Sequence, residues 1–490
     1  MIELELKLCV PAGALPSLRA AFLQQGAQRL RLQARYFDTA DGLLARHRIA
    51  LRLRLENGHW LQTLKAAGAG VAHRLEDERP VPGARRSPPA LDLHRHHGSP
   101  AGLALDSVLR GAPGAHLVER HATDVRRLRC VMACADGTQI EAALDIGQAL
   151  AGARSSAIAE LEFEHLGGPV QGLFDVAAAF VRHGGLWLST VTKAERGQRL
   201  LQDETLPCAF KARAPRLQPG ADGPTLLRAL LQSALEQVLA NASELAQGLD
   251  AAETVHQLRV GLRRLRVVLR ELAPLARAVP PAWAAVLSDT FARLGKSRDQ
   301  IAVAAAVRPL LEAAGAPRLQ WQATPAADPC TVAREPGFQA TLVEMLALAH
   351  AEDGSCTPMS PAAARALVAA RLTRLRQQVL RDGRRFERLP LASQHRVRKR
   401  LKRLRYLADF TAALWPRRNP QPCREALGLA QDALGLHQDV IVAADAFRCD
   451  AAAHPDAAFA AGYLQAYQAV TARAARQALC RLAKVPAYWR

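Results

Sequence analysis

Met1-Ile2-Glu3-Leu4-Glu5-Leu6-Lys7 opens the chain with charged and apolar residues in strict alternation. A strand repeats every two residues, so Glu3, Glu5 and Lys7 share one face and Ile2, Leu4 and Leu6 the other. Two carboxylates and an ammonium in register could hold a divalent cation and an anion together. Taken alone, the run reads better as a solvated strand face. The decision rests on what answers it further along the chain.

Several strands do answer it. Alternation recurs in Ile2–Leu8, Ile49–Leu55, Leu128–Met132, Ile140–Ile146 and Ile158–Leu166. Arg52 and Arg54 share a face, Thr63-Leu64-Lys65 follows on a hairpin strand, and Arg74-Leu75-Glu76-Asp77-Glu78 follows that. Glu141 lies on the same face as Asp145, and Glu160-Leu161-Glu162-Phe163-Glu164 mirrors the opening run. Helices are expected over Pro16–Gln25 and Pro169–His183, and a Pro-, Gly- and His-rich loop over residues 85–115. Many strands with few helices predict an antiparallel barrel or sandwich. If the charged faces point inward, they line a hydrophilic tunnel whose charges need compensation by partners or ligands.

At this point the chain resembles the CYTH domains, the triphosphate tunnel metalloenzymes. Glu3-Leu4-Glu5-Leu6-Lys7 has the family's ExExK form. Tyr36-Phe37-Asp38-Thr39, Leu51-Arg52-Leu53-Arg54, Thr63-Leu64-Lys65, Glu141 to Asp145, Glu160-Leu161-Glu162 and Thr192-Lys193-Ala194-Glu195-Arg196-Gly197 follow in order, over about residues 1–202. The resemblance implies an eight-stranded antiparallel barrel whose tunnel binds a triphosphate. It implies an acidic set for Mg2+ or Mn2+ (Glu3, Glu5, Glu160 and Glu162, with Glu76 and Asp145, and Glu164 as a further member). It implies a phosphate-contacting set of Lys7, Arg52, Arg54, Lys65 and Lys193, with Arg74 and Arg127. These residue types suit the chemistry. Guanidinium and ammonium groups clamp phosphate oxygens, and carboxylates reach phosphate only through a metal.

The net charge of +20 is uneven: residues 1–200 hold 25 Lys and Arg against 20 Asp and Glu, the rest 40 against 25. The C-terminal part is therefore suited to a polyanion. Aromatic residues are only 5% of the chain, which argues against single-stranded nucleic acid. From Asp203 to Pro224 a Pro-punctuated stretch reads as a linker (203–222), and Ala/Leu/Arg-rich helices follow. Two halves of about 223–313 and 361–485, separated by a Pro-rich interruption over 314–361, repeat one pattern. His256, Arg259, Arg263, Arg264 and Arg266 answer His395, Arg398, Lys402, Arg403 and Arg405 at a separation of 139, and Leu294-Gly295 with Asp299 answers Leu434-Gly435 with Asp439 at 140. On a helix, offsets 0, 3, 7 and 10 fall within about 80° of arc, so each set makes one stripe, with Arg264 and Arg403 set apart from it. Leu258, Leu262 and Leu265 form the opposing apolar face.

This second region (223–485) resembles the CHAD domains, helical domains named for a conserved histidine and often fused after CYTH. The resemblance implies two four-helix bundles around a basic groove that binds inorganic polyphosphate. His256 and His395 either add pH-dependent charge to that groove or pack within the bundle. Lys402 departs from the Arg pattern and His437 stands at an unusual position. Asp299 and Asp439 are read as anchors for basic side chains.

The expected architecture is thus α+β and multidomain, a barrel at 1–202 and an all-α domain at 223–485. The expected activity is hydrolysis of inorganic triphosphate to diphosphate and phosphate, with polyphosphate bound by the helices. The alternative is a non-catalytic polyphosphate-binding or granule-associated protein. No Walker-type phosphate loop occurs. No apolar run reaches membrane-spanning length and no secretory h-region opens the chain, so a cytoplasmic protein without membrane insertion is expected, with association with polyphosphate granules as an extension of the same reading. The nine scattered cysteines fit free thiols, with Cys130 and Cys134 read as core. His94-Arg95-His96-His97 is read as a flexible polar loop rather than a metal site.

Overall fold

The computed structural model describes residues 2–68, 72–82, 87–202, 209–316, 327–351, 356–451 and 455–490. The side chains of residues 296–302 lie outside the described set, Asp299 among them, as do residues 203–208 of the expected linker.

Among the described residues nine strands form one antiparallel sheet: β1 (Ile2–Cys9), β2 (Gln28–Asp38), β3 (Ile49–Glu56), β4 (His59–Ala67), β5 (His73–Val81), β6 (Val118–Ala133), β7 (Gln139–Ala151), β8 (Arg154–Gly167) and β9 (Trp187–Leu188). Their order is β5-β4-β3-β2-β6-β7-β8-β1-β9, and β5 also pairs with β1. That pairing closes eight strands into a barrel and leaves β9 as an extra strand against the end of β1. Closure removes the exposed sheet edges that would otherwise invite aggregation. The β3–β4 hairpin turns on Asn57 and Gly58, both at positive φ (49° and 82°), the geometry of a two-residue turn that follows strand twist.

Alternation sorts the side chains. Outward Leu51, Ile49 and Leu64 pack with Leu44, Ala101 and Leu105, so the helix Pro100–Arg110 covers that wall. This helix replaces part of the loop expected over 85–115. Ser99 caps it, its hydroxyl accepting from the Gly102 amide at 2.9 Å, and Pro100 fits the first turn. Its buried face is partly Ala and Gly, which hid the apolar period. The His94–His97 segment is a short 3-10 turn. His96 is buried between Asp77 (2.8 Å) and Gln62 (3.0 Å), neither a metal site nor a loose loop. Cys130 and Cys134 are half-exposed rather than core, and Cys134 lies beyond the end of β6.

The chain divides into two compact units that do not follow its order. Unit 1 is Met1–Lys211, Leu235–Leu258 and Pro329–Ala351; unit 2 is the remainder. In unit 1 the helix Pro336–His350 occupies part of the expected Pro-rich interruption. Pro336 opens it, and residues Phe338–Val343 are buried without break, so no amphipathic period announced it. Its Gln339 side chain accepts from the Leu188 amide at 2.9 Å. Phe210 and Asn241 exchange two hydrogen bonds, at 3.0 and 2.9 Å.

Unit 2 is helical. Each repeat has four helices in the same order: Gly223–Ala246, Ala252–Glu271, Pro281–Arg293 and Lys296–Ala313, then Pro361–Gly383, Leu391–Thr411, Gln421–Asp450 and Pro455–Lys484. The unit boundary falls inside the first two of these. Val303, Val307 and Leu311 pack with Val440, Phe447 and Leu464, which joins the last helix of the first repeat to the second. Among the described residues no helix is long and apolar enough to cross a membrane.

Candidate active site

Strand register brings the charged residues into one ring. Glu3 on β1 faces Arg74 on β5, and Lys65 on β4 faces Glu76. Thr63 lies between Arg52 on β3 and Glu78 on β5, and Arg52 faces Tyr36 on β2. Tyr36 faces His121 on β6, Arg127 faces Asp145 on β7, and Asp145 faces Glu160 on β8. Glu162 faces Lys7, which returns the ring to β1. Every one of these has the parity that points inward, so the opening run faces the barrel interior and not solvent. Lys7 is 5% exposed and Asp145 and Glu160 are fully buried.

The helix Lys193–Gln202 crosses one side of the barrel. Leu200 packs on an apolar group of inward residues: Leu30, Leu32, Val125, Ala149 and Ile158. From its first turn Lys193 reaches Glu162 (2.6 Å), Asp145 (2.8 Å) and Glu160 (3.0 Å), and Arg196 reaches Glu160 at 3.3 Å. Arg127 grips Asp145 with two bonds of 2.7 Å and Glu162 with one of 2.6 Å. Across the interior Lys65 joins Glu3 (3.2 Å) and Glu76 (2.7 Å), Arg74 lies 3.9 Å from Glu5, and Arg54 joins Glu56 (3.0 Å) and Glu78 (3.1 Å). The Lys7 ammonium donates to the Val191 carbonyl. Buried charges persist only when paired, and here carboxylates and cations neutralise one another.

Their titration follows. Burial would raise Glu162 and Glu160, yet the cations Lys193, Arg127 and Lys7 around Glu162, and Lys7 and Lys193 around Glu160, hold both below the usual carboxylate range. Burial opposes charge on Lys193 too, but Asp145, Glu162 and Glu160 raise its affinity for the proton. Glu3 is pushed up to about 9, by burial and by its hydrogen bond with Glu76. Glu76 is drawn down to about 2, because that bond with Lys65 and Arg52 outweighs burial. The two carboxyls hold one proton between them. Folded Glu3 keeps a proton that the unfolded chain releases near 4.5, so this group favours folding less and less as pH rises from there to about 9. We expect the melting temperature to fall across that window, with a slope of at most about 1.4 kcal/mol per pH unit, and Glu3→Gln to remove this slope. A thermal-melt series against pH checks it; the same profile in both proteins would rule out proton sharing.

The donor set fits a hard divalent cation: buried carboxylate oxygens, several of them gathered around the single ammonium of Lys193. Among the described residues no three carboxylate, imidazole or thiol groups stand ready-grouped as a metal cluster, since the carboxylates face basic partners instead. Residues 1–197 match the CYTH domain, and residues 229–448 match the CHAD domain. The chain carries a CYTH domain followed by a CHAD domain. It is 29% identical over 204 residues to an inorganic triphosphatase of Haemophilus influenzae, an alignment covering 40% of this chain. The chain spans about half (54%) of the length of that relative. A CHAD domain from the plant Ricinus communis is 28% identical, with 56% of this chain and 96% of that one covered at a TM-score of 0.41. A Hippeastrum protein described as a candidate adenylyl cyclase with a dominant triphosphatase activity is 19% identical, with 42% and 98% covered at a TM-score of 0.29.

Within the CYTH domain, sequence reasoning passed over Tyr36, Glu56, Glu78, His121 and Arg196 as members of the interior. Glu78 has the parity of Arg74 and Glu76, and Arg196 stands one helical turn after Lys193, so both carried a signal. Asp38 of the Tyr36–Thr39 segment is structural: its carboxylate accepts from the amides of Thr39, Leu44 and Ala45 at 2.7–2.9 Å and fixes the turn after β2. In the CHAD domain, His256, Arg259, Arg263, Arg264 and Arg266 lie on Ala252–Glu271, and His395, Arg398, Lys402, Arg403 and Arg405 on Leu391–Thr411. Arg264 turns inward, bonding the Arg213 carbonyl and the Ser233 hydroxyl, each at 3.1 Å, over the Phe410 ring at 4.4 Å. Its guanidinium serves the fold rather than an anion. Arg403 donates to buried Glu271 at 3.1 Å. His395 lies 2.8 Å from the Gln438 side chain, and His437 is buried between Thr471 (2.8 Å) and Gln394 (2.7 Å). Burial drives His437 down to about 4, which keeps it neutral.

Proposed function

We propose that the CYTH domain hydrolyses inorganic triphosphate to diphosphate and phosphate, and that the CHAD domain binds inorganic polyphosphate. The observation that carries the first part is the closed eight-stranded barrel with inward carboxylates and cations on seven of its strands. Support also comes from the inorganic triphosphatase that this chain resembles over 204 residues. On this reading Lys7, Arg52, Arg54, Lys65, Arg74, Arg127 and Lys193 turn to phosphate oxygens, and for Arg54, Lys65, Arg74, Arg127 and Lys193 this exchanges a carboxylate oxygen for a phosphate one. The carboxylates so released (Glu3, Glu5, Glu76, Asp145, Glu160 and Glu162) hold Mg2+ or Mn2+, which neutralises charge and activates water. Arg52 enters the exchange with its charge assured. Burial disfavours the guanidinium, but Tyr36, Glu76 and Glu78 outweigh it and raise its proton affinity. Phosphoryl transfer asks mainly for positioning and charge stabilisation, which a rigid barrel interior supplies.

The test is phosphate release from triphosphate, long-chain polyphosphate, ATP and thiamine triphosphate, with Mg2+ or Mn2+ and with a chelator. We expect triphosphate to be preferred and the chelator to stop turnover. Glu5→Gln and Arg54→Ala should each lower kcat/KM by about 100-fold or more with little change in melting temperature. No release from triphosphate with either metal would reject the reading and leave a binding protein.

A further inference from the structure

The two CHAD repeats match in sequence but not in electrostatic surroundings. The 139-residue separation sets Arg259, Arg263 and Arg266 against Arg398, Lys402 and Arg405. In the first repeat these guanidiniums gather on one ring: Arg259, Arg263 and Arg266 lie 4.5, 4.8 and 5.8 Å from the Phe291 centroid. Among the described residues Arg263 and Arg266 make no ion pair with a carboxylate. The next basic residue, Arg270, is 70% exposed and stands 3.9 Å from the Glu271 carboxylate, at the long end of an ion pair. Burial and the like charges of Arg263 and Arg270 lower the proton affinity of Arg266, the mark of crowded positive charge.

The second repeat differs at the positions that match Arg270 and Phe291. The residue matching Arg270 is Asp409, which stands 3.8 Å from Arg405 and 3.2 Å from Arg424. Arg403 is held by buried Glu271, a carboxylate that the first repeat supplies. The 140-residue separation of Leu294-Gly295 and Leu434-Gly435 sets Phe291 against Gln431, whose buried Oε1 has no partner. In the first repeat Arg263 and Arg266 thus stand on a ring without a carboxylate partner, while in the second Arg405 and Arg424 share Asp409.

We propose that the first repeat holds the principal polyanion site of the CHAD domain, Arg263 and Arg266 on the Phe291 ring with Arg270 beside them, and that the second repeat contributes little. This rests on the polyphosphate reading above. The ligand that suits it is a linear chain of phosphates, since each guanidinium can take two oxygens and the ring restricts the side chains before binding.

The test uses the full chain and long-chain inorganic polyphosphate, with affinity measured by calorimetry at several salt concentrations. Arg263→Gln with Arg266→Gln should weaken binding about tenfold or more and flatten the salt dependence, while Lys402→Gln with Arg405→Gln, which removes the same charge, should weaken it less than about threefold. Arg270→Asp, at an exposed position that places no demand on folding, should weaken binding about as much as the first pair. Equal losses for the two pairs, or no effect of Arg270→Asp, would overturn the asymmetry. No polyphosphate binding by the unaltered protein, or tighter binding of duplex DNA of matched charge, would instead overturn the underlying reading.

Discussion

Lys193→Ala should abolish triphosphate turnover and cost the CYTH domain a large part of its stability. Among the described residues Lys193 is the one cation within 3.0 Å of three carboxylates at once, Asp145, Glu160 and Glu162. Removing it leaves Arg127 on Asp145 and Glu162 and Arg196 on Glu160, too little positive charge for three buried anions. Breaking a buried ion pair by removing one partner costs about 3–5 kcal/mol, because the other charge stays buried. The pH dependence gives the mechanism away. In the unaltered protein Glu160 and Glu162 titrate below 4.5, so their stabilisation is complete above that value and lost as pH falls through their depressed values. Lys193, raised above 10.5, supports folding below that value and fails only in strong base. Without Lys193 the carboxyls rise, and the acid limb of the stability profile should move to higher pH. Urea melts against pH and a phosphate-release assay read both effects. Lys193→Arg keeps the charge and should recover most of the stability but less of the turnover, since a planar fork cannot point at three carboxylates as an ammonium does. An unchanged acid limb in Lys193→Ala would remove Lys193 from the centre of the network.

The parts of this site that were legible in the sequence are those governed by strand parity. Glu3, Glu5 and Lys7 could be placed on one face because a strand allows no other arrangement, and Glu160, Glu162, Arg52 and Arg54 followed by the same rule. Which face points inward was not written in any single strand. Only the closing pair of β1 with β5, between residues about 70 apart, decides it. β2 escaped the reading because Arg29, Arg31 and Arg35 take its outward positions as ion-pairing or solvated groups, and its inward Leu30, Leu32, Ala34 and Tyr36 mix sizes. The basic stripes were legible as helix periodicity. Their inequality was not, because Asp409, Glu271 and Phe291 come from outside the repeated motif.

Gly197→Ala should damage the active site far beyond its size. A Cβ built there would lie 2.0 Å from Cδ2 and 2.5 Å from Cγ of His121. The ring has no route of retreat: its other neighbour is Tyr36, stacked at 4.6 Å and 13°. Helix propensity favours the change by about 1 kcal/mol, whereas overpacking a closed site costs about 1–3 kcal/mol, so the clash should win. The helix must then lift, and Lys193 and Arg196 lift with it, away from Asp145, Glu160 and Glu162. A displacement of about 1 Å at a positioned cation can cost about 100-fold in rate. We therefore expect kcat to fall by about that factor and the melting temperature to drop, while Gly13→Ala, where nothing lies within 4 Å, should change neither. His121→Ala clears the space, so adding it to Gly197→Ala should return part of the lost activity. Such recovery in a double-mutant cycle would trace the loss to this one contact. Burial holds His121 down to about 4, so it is neutral at working pH and its removal takes no charge from the site. Full turnover in Gly197→Ala alone would mean that the distance from this helix to the barrel does not govern the chemistry, and the role given to Lys193 would have to move elsewhere.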